Sequence, residues 1–212
     1  MSRLSRLSAG IATTATAIGA IAVLTAGTAA AATITYAAGG TAGITYNCTF
    51  PGISPQPVAI TAHLDAPDTV VHSTTVTPSN VGGTATISST VHSLLTAVGY
   101  DGIRGKATVP VTASAGTLSQ PSASGLNIPE VIYPTGGAIT VVISQDSGSS
   151  IPNWTAQATP GTATLSLTSG LSANLEFHKK STNTWSPWTM NCTLKVTSPA
   201  QNIAFSPNIT VS

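Results

Sequence analysis

Charge is what this chain has least of. Only 6% of its 212 residues are Asp, Glu, Lys or Arg, against about 25% in an ordinary soluble domain. Seven Lys/Arg stand against six Asp/Glu, a formal net charge of +1. A protein that grips a phosphate backbone needs clustered cations, so nucleic acid is excluded as a partner. Solubility must rest on Ser, Thr, Asn and Gln. Aromatic residues are scarce too, at 5%, with three Trp in all. Cysteine is limited to Cys48 and Cys192. No Cys-x-x-Cys or His-x-His pattern accompanies them, which argues against a metal site. The Gly-x-Ser-x-Gly elbow of one hydrolase class is missing. Asp65 and Asp68 flank Ala66-Pro67, where turn formation is the ordinary role of Asp, and no segment gathers enough acids for a calcium loop. No catalytic residue, metal or cofactor is assigned, and the chain is expected not to be an enzyme.

What is present begins with a leader. Arg3 and Arg6 form a positive start, an Ala-rich apolar stretch covers 9–26, and Thr28-Ala-Ala-Ala-Ala32 supplies small residues for cleavage. Residues 1–32 are expected to be a signal peptide and 33–212 one secreted domain, with no membrane attachment after cleavage. Removing Arg3 and Arg6 leaves five Lys/Arg against six Asp/Glu, a net charge near −1. In an exported chain two cysteines read as one disulfide, Cys48–Cys192. Such a bridge closes most of the mature chain into one loop, worth about 5 kcal/mol on the chain-entropy model.

Period-two alternation recurs along the chain. Tyr46, Cys48 and Phe50 share one phase, as do Val58, Ile60, Ala62 and Leu64. The same holds for Val109 with Val111, Ile139 with Val141 and Ile143, and Leu171 through Phe177. Trp188, Met190, Cys192 and Leu194 form a last apolar phase, and this strand is expected to form a hairpin with Leu171 to Phe177. Pro51-Gly52, Gly82-Gly83, Asp101-Gly102 and Gly136-Gly137 read as turns. Val91, Leu94, Leu95 and Val98 have helical spacing, so a helix is expected over 90–98, capped by Ser88, Ser89 or Thr90 and ended by Gly99. Segments 114–129 and 146–160, rich in Ser, Gly and Pro, read as loops. The fold class expected is all-β with one short helix, an antiparallel immunoglobulin-like β-sandwich closed by one disulfide. The stretch 33–37 is expected to pair within the domain or with another chain.

Tyr46-Asn-Cys-Thr-Phe-Pro51, Gln56-Pro-Val58, the helix before Gly99, Ser169-Gly-Leu-Ser-Ala-Asn-Leu175 and Cys192-Thr-Leu194 together resemble a family of secreted actinobacterial domains of unknown function. The resemblance covers about 42–211. It implies a single disulfide-linked, exported β domain and no particular activity. Pro51-Gly-Ile-Ser-Pro55 departs from the pattern, which places an apolar residue before the Gly.

The candidate ligand-binding residues are Trp154, Trp185 and Tyr133, aromatics in apparent loops. Exposed aromatic faces can stack on sugars while Asn, Gln and Asp supply hydrogen bonds. Trp188 is expected in the core, which leaves Trp185 alone of its Trp-Ser-Pro-Trp run as a candidate. His63 and His178 lie on polar strand phases, as solvated residues, and His92 lies on the helix off its apolar stripe. The function expected is a non-enzymatic extracellular or cell-surface interaction or structural protein. The alternative is a carbohydrate- or cell-wall-binding module using those aromatics. The partners in view are cell-wall glycan or another extracellular protein, and the sequence sets no oligomeric state.

Overall fold

A computed structural model describes residues 31–212, so the cleaved leader expected over 1–32 lies outside the described residues except for its last two positions. The chain runs through β1 (Thr33–Ala38), β2 (Ile44–Phe50), β3 (Ile53–Pro67), β4 (Thr69–Val70), β5 (Thr75–Val76), β6 (Ser79–Ile87) and the helix α1 (Ser89–Ala97). There follow β7 (Tyr100–Ala113), β8 (Gly116–Leu118), β9 (Ser122–Ile132), β10 (Ile139–Ser144) and β11 (Trp154–Ala156). The last are β12 (Gly161–Ala163), β13 (Leu165–Leu167), β14 (Gly170–Lys179), β15 (Thr184–Leu194) and β16 (Ile209–Val211).

The β-rich class, the one helix among the described residues and the disulfide agree with the sequence. The immunoglobulin-like sandwich does not. Eight antiparallel strands pair in a closed circuit, β2–β3–β6–β10–β9–β7–β14–β15, and β15 returns to β2. The structure is a barrel. Alternation shows which side chains face inward, and it is the same for two packed sheets as for one sheet curled on itself. Two features make the sheet curl. First, β3 is long enough to pair with β2 through Ile53–Ile60 and with β6 through Val58–Asp65. Second, glycines inside strands let backbones approach closely where the sheet coils. A Cβ on Gly83 would lie 2.0 Å from the Thr61 carbonyl oxygen, and one on Gly105 would lie 2.2 Å from that of Asn174. Gly82-Gly83 and Asp101-Gly102 therefore sit within β6 and β7, not at the turns expected from sequence.

Closure leaves the barrel apolar inside and polar outside. Tyr46, Cys48, Val58, Ile60, Leu126 and Phe177 are buried, while Arg104, Lys106, Asn174 and Glu176 lie on outward phases. A barrel facing lipid has the opposite polarity. The 33–37 stretch pairs within the domain, as β1 against β3 from Thr33↔Pro67 to Ala38↔Ala62. Two small sheets, β5–β11–β8 and β12–β16–β4, add to the barrel.

The segments expected as loops contain β8, β9 and β11. In β9 the buried residues are Ala123, Leu126 and Ile128, and the register with β7 shifts between Ala107 and Val109. That bulge breaks the period of two, which hid the strand. The helix matches expectation closely. Ser88 Oγ accepts from the Val91 amide at 3.3 Å, and Gly99 has a φ of +94°, the usual chemistry of the two ends. Val91 and Leu95 are buried, and α1 packs on β7 and β3.

Candidate binding sites

The three aromatics singled out from sequence do not come together. Trp154 begins β11 and is 2% exposed, with its indole Nε1 donating to the Ala115 carbonyl at 3.1 Å. It anchors the small sheet β5–β11–β8 and offers no open ring face. Tyr133 lies against α1, its ring edge-on to His92 with centroids 5.4 Å apart. Its hydroxyl is buried with no hydrogen-bond partner, and burial pushes its pKa up. The expectation of exposed loop aromatics is corrected for both. A Ser/Gly/Pro-rich setting suggested loops, but each side chain fills a gap between elements. Trp188 is partly buried against the core as expected, and its Nε1 donates to the Thr49 carbonyl at 3.2 Å.

Trp185 is half-exposed on the barrel's outer wall, in β15 and not in a loop. The Arg104 guanidinium stands 4.2 Å over its ring, at cation–π distance. Arg104 Nε donates to Glu176 at 2.8 Å and Nη1 to Glu130 at 3.2 Å. The Glu176 bond leads in raising the Arg104 pKa. The His178 ring is tilted against Trp185 at 5.0 Å. Thus Arg104 and His178 already contact the ring a sugar would need.

The same wall holds a His–Asp pair that sequence reasoning missed. His178 Nδ1 lies 2.5 Å from Asp101 Oδ1, and Nε2 lies 3.1 Å from Asn183 Oδ1. Asp101 is in β7 and does not shape a turn, and His178 is paired and not simply solvated. His178 pairs across strands with Gly102 and with Trp185, but knowing this requires the strand order. The pair could orient a general base, yet the far nitrogen meets an amide side chain where a triad has a nucleophile. His92 also departs from expectation. It is 6% exposed, and its Nδ1–H donates to the Gly137 carbonyl at 2.8 Å. Among the described residues, no group of three His, Cys, Asp or Glu could hold a metal ion.

Two apolar voids lie inside the barrel. One is lined by residues of all eight barrel strands, among them Cys48, Val58, Ile87, Ile128, Leu175 and Met190, and has a cavity volume of about 60 Å³. A second, also about 60 Å³, lies toward Trp154, Leu165 and Phe205. The two share Val109 and Ile143. Half-exposed Val81, Leu118 and Ile151 border the second compartment. Ser172 is the polar lining residue of the first, and His63 carries the sole ionisable side chain of the second. Both stand on outward strand phases. Voids of this size are far smaller than small-molecule sites, and the interior of an eight-stranded barrel is narrow enough for its own side chains to fill. Sequence reasoning missed this closed interior because period-two alternation does not report curvature.

Fold and interior together define a disulfide-closed antiparallel β-barrel with an apolar core. Residues 45–206 match the profile of a family of unknown function (DUF6801), and the chain belongs to that family. The match runs from β2 past β15, so it includes the whole barrel circuit. Searches of the curated proteins and of the solved structures find no match.

Proposed function

We propose that this chain is an exported, non-enzymatic extracellular interaction or structural domain that acts through its outer surface. The observation that carries the reading is a closed barrel filled by its own apolar side chains, with interior voids of about 60 Å³ each, so that a partner meets the outer wall. Export is supported by the leader-like sequence, by the resemblance to exported actinobacterial domains and by the disulfide. A non-catalytic role is supported by the His178–Asp101 pair, which faces Asn183 and not a hydroxyl or thiol.

The test is light scattering of the purified chain together with pull-down from cell-wall fractions. Self-association or a retained cell-wall partner is expected. A clean monomer that retains no partner would sink the proposal.

A further inference from the structure

Charge is unevenly shared around the barrel. Four strands that stand side by side, β2, β3, β6 and β10, contain a single Asp, Glu, Lys or Arg, which is Asp65 near the end of β3. The strands β7, β9 and β14 carry Asp101, Arg104, Lys106, Glu130, Glu176 and Lys179. One wall of the barrel is charged and another is not.

The strand register lays out the uncharged wall. Thr45, Ala59, Thr86 and Thr140 stand in one row across the four strands, and Thr61, Thr84 and Val142 in the row beside it. None of these residues is buried. Thr61 and Thr84 turn their hydroxyls to each other, Oγ1 to Oγ1 at 2.8 Å, and the Thr84 amide donates to Thr61 Oγ1 at 3.2 Å. Polar atoms already bonded to one another are not orphaned when water leaves. Val142, 54% exposed, adds apolar surface in the same row.

These properties restrict what the wall can meet. A charged partner would lose water from its charges and find no counter-charge, which is unfavourable. A sugar would find no ring to stack on. The Phe, Tyr and Trp residues of the four strands are Tyr46 and Phe50, and both are buried. A second copy of the chain meets neither obstacle. A two-fold contact places the same patch on both sides. The charged wall would bury ion pairs in doing so, at a desolvation cost, whereas the uncharged wall buries none.

The borders of the wall carry opposite charges. Lys195 follows β15, and its amide donates to the Thr45 carbonyl at 3.0 Å. Asp65 lies on β3 beyond Thr61 and His63. A two-fold axis running between them sets the Lys195 side of each copy against the Asp65 side of the other, so the rim is complementary too.

We infer that the partner of this wall is a second copy of the chain, docked wall to wall through β3, β6 and β10 as a two-fold dimer. Such self-docking rests on the reading of the domain as one that acts through its outer surface.

The experiment is sedimentation equilibrium of the purified chain over a range of concentrations. A curved wall of four strands offers less than the roughly 800 Å² per partner of a standard interface. Half-dimerisation is therefore expected at about 10–100 μM. Val142→Arg and Thr84→Arg each bring a charge into the contact from both copies and should weaken association about tenfold or more. Trp185→Ala, outside this wall, should leave it unchanged. Should Val142→Arg lose the native circular dichroism spectrum, Thr140→Arg takes its place at another exposed position. Added salt should change association little, since an exposed rim pair is worth little. Association abolished by salt, or by Trp185→Ala and not by Val142→Arg, overturns the wall assignment. A chain that stays monomeric yet retains a cell-wall partner overturns self-docking and leaves the outer-surface reading standing. A monomer that retains nothing overturns both.

Discussion

Cys48 and Cys192 stand directly opposite each other across β2 and β15, their Cα atoms 4.0 Å apart. The ladder between these strands has three register pairs, Cys48↔Cys192, Asn47↔Thr193 and Tyr46↔Leu194. It is where the first barrel strand in the chain meets the last. The disulfide therefore fastens the line at which the barrel closes, across a sequence separation of 144.

Replacing both cysteines with Ala should lower stability by about 2–5 kcal/mol, the usual loss for a native bridge in a secreted domain. Urea unfolding of the oxidised protein and of the double variant measures it. A loss under about 1 kcal/mol would mean that the short ladder holds the closure without the bridge.

Trp154→Ala should cost about 3–5 kcal/mol, because a large buried side chain leaves a cavity. It also leaves the Ala115 carbonyl without its donor. Trp185→Ala should shift the unfolding midpoint far less, since that ring is half-exposed and its partner Arg104 keeps both glutamates. Thermal unfolding of the two variants side by side decides. Equal losses would contradict the assignment of one to the core and the other to the surface.

Tyr133→Phe should leave stability unchanged or raise it. The buried hydroxyl has no partner, so removing it relieves a desolvation cost without breaking a bond. A loss above about 1 kcal/mol would show that the hydroxyl is bonded after all.

The pH profile should fall at both ends. Asp65 and Asp146 have folded pKa values held below the ordinary 3.8, chiefly by Thr35 and by Lys106 respectively. Their contribution is whole above that value and is lost as pH falls through the folded values. At the alkaline end, burial pushes Tyr46 up to about 12 and raises Tyr36 above 10.0. These buried phenols favour the folded state fully below pH 10.0, and that stability is lost as pH rises from there toward about 12. Unfolding midpoints across pH measure both limbs. Asp65→Asn should flatten the acid limb, and Tyr46→Phe should flatten the alkaline one.

Much of the strand pattern was visible in the residues themselves. The phases of Tyr46–Cys48–Phe50, Leu171–Phe177 and Trp188–Cys192 all hold, as does the hairpin pairing Leu175 with Trp188. Ser88 and Gly99 mark the helix ends because capping is local chemistry. What escaped is long-range. The return of β15 to β2 decides between sandwich and barrel, and alternation is indifferent to it. His178 and Asp101 are 77 residues apart in sequence and meet only because β14 pairs with β7. Trp154 lies in a short strand flanked by turn formers, so its setting looked exposed while its side chain had a place beneath Gly116 and Ala115.

Asp68 ties the two extremities of the described fold to one peptide unit's neighbourhood. Its amide donates to the Ala32 carbonyl at 2.8 Å, and its own carbonyl accepts from the Thr210 amide at 3.1 Å. Ala37 and Ser206 exchange a further pair of bonds at 2.9 Å. Any chain joined at either extremity thus departs from one corner. A tether fused there would hold the domain as a pendant, with the far pole, where α1 lies on β7, turned away from the attachment.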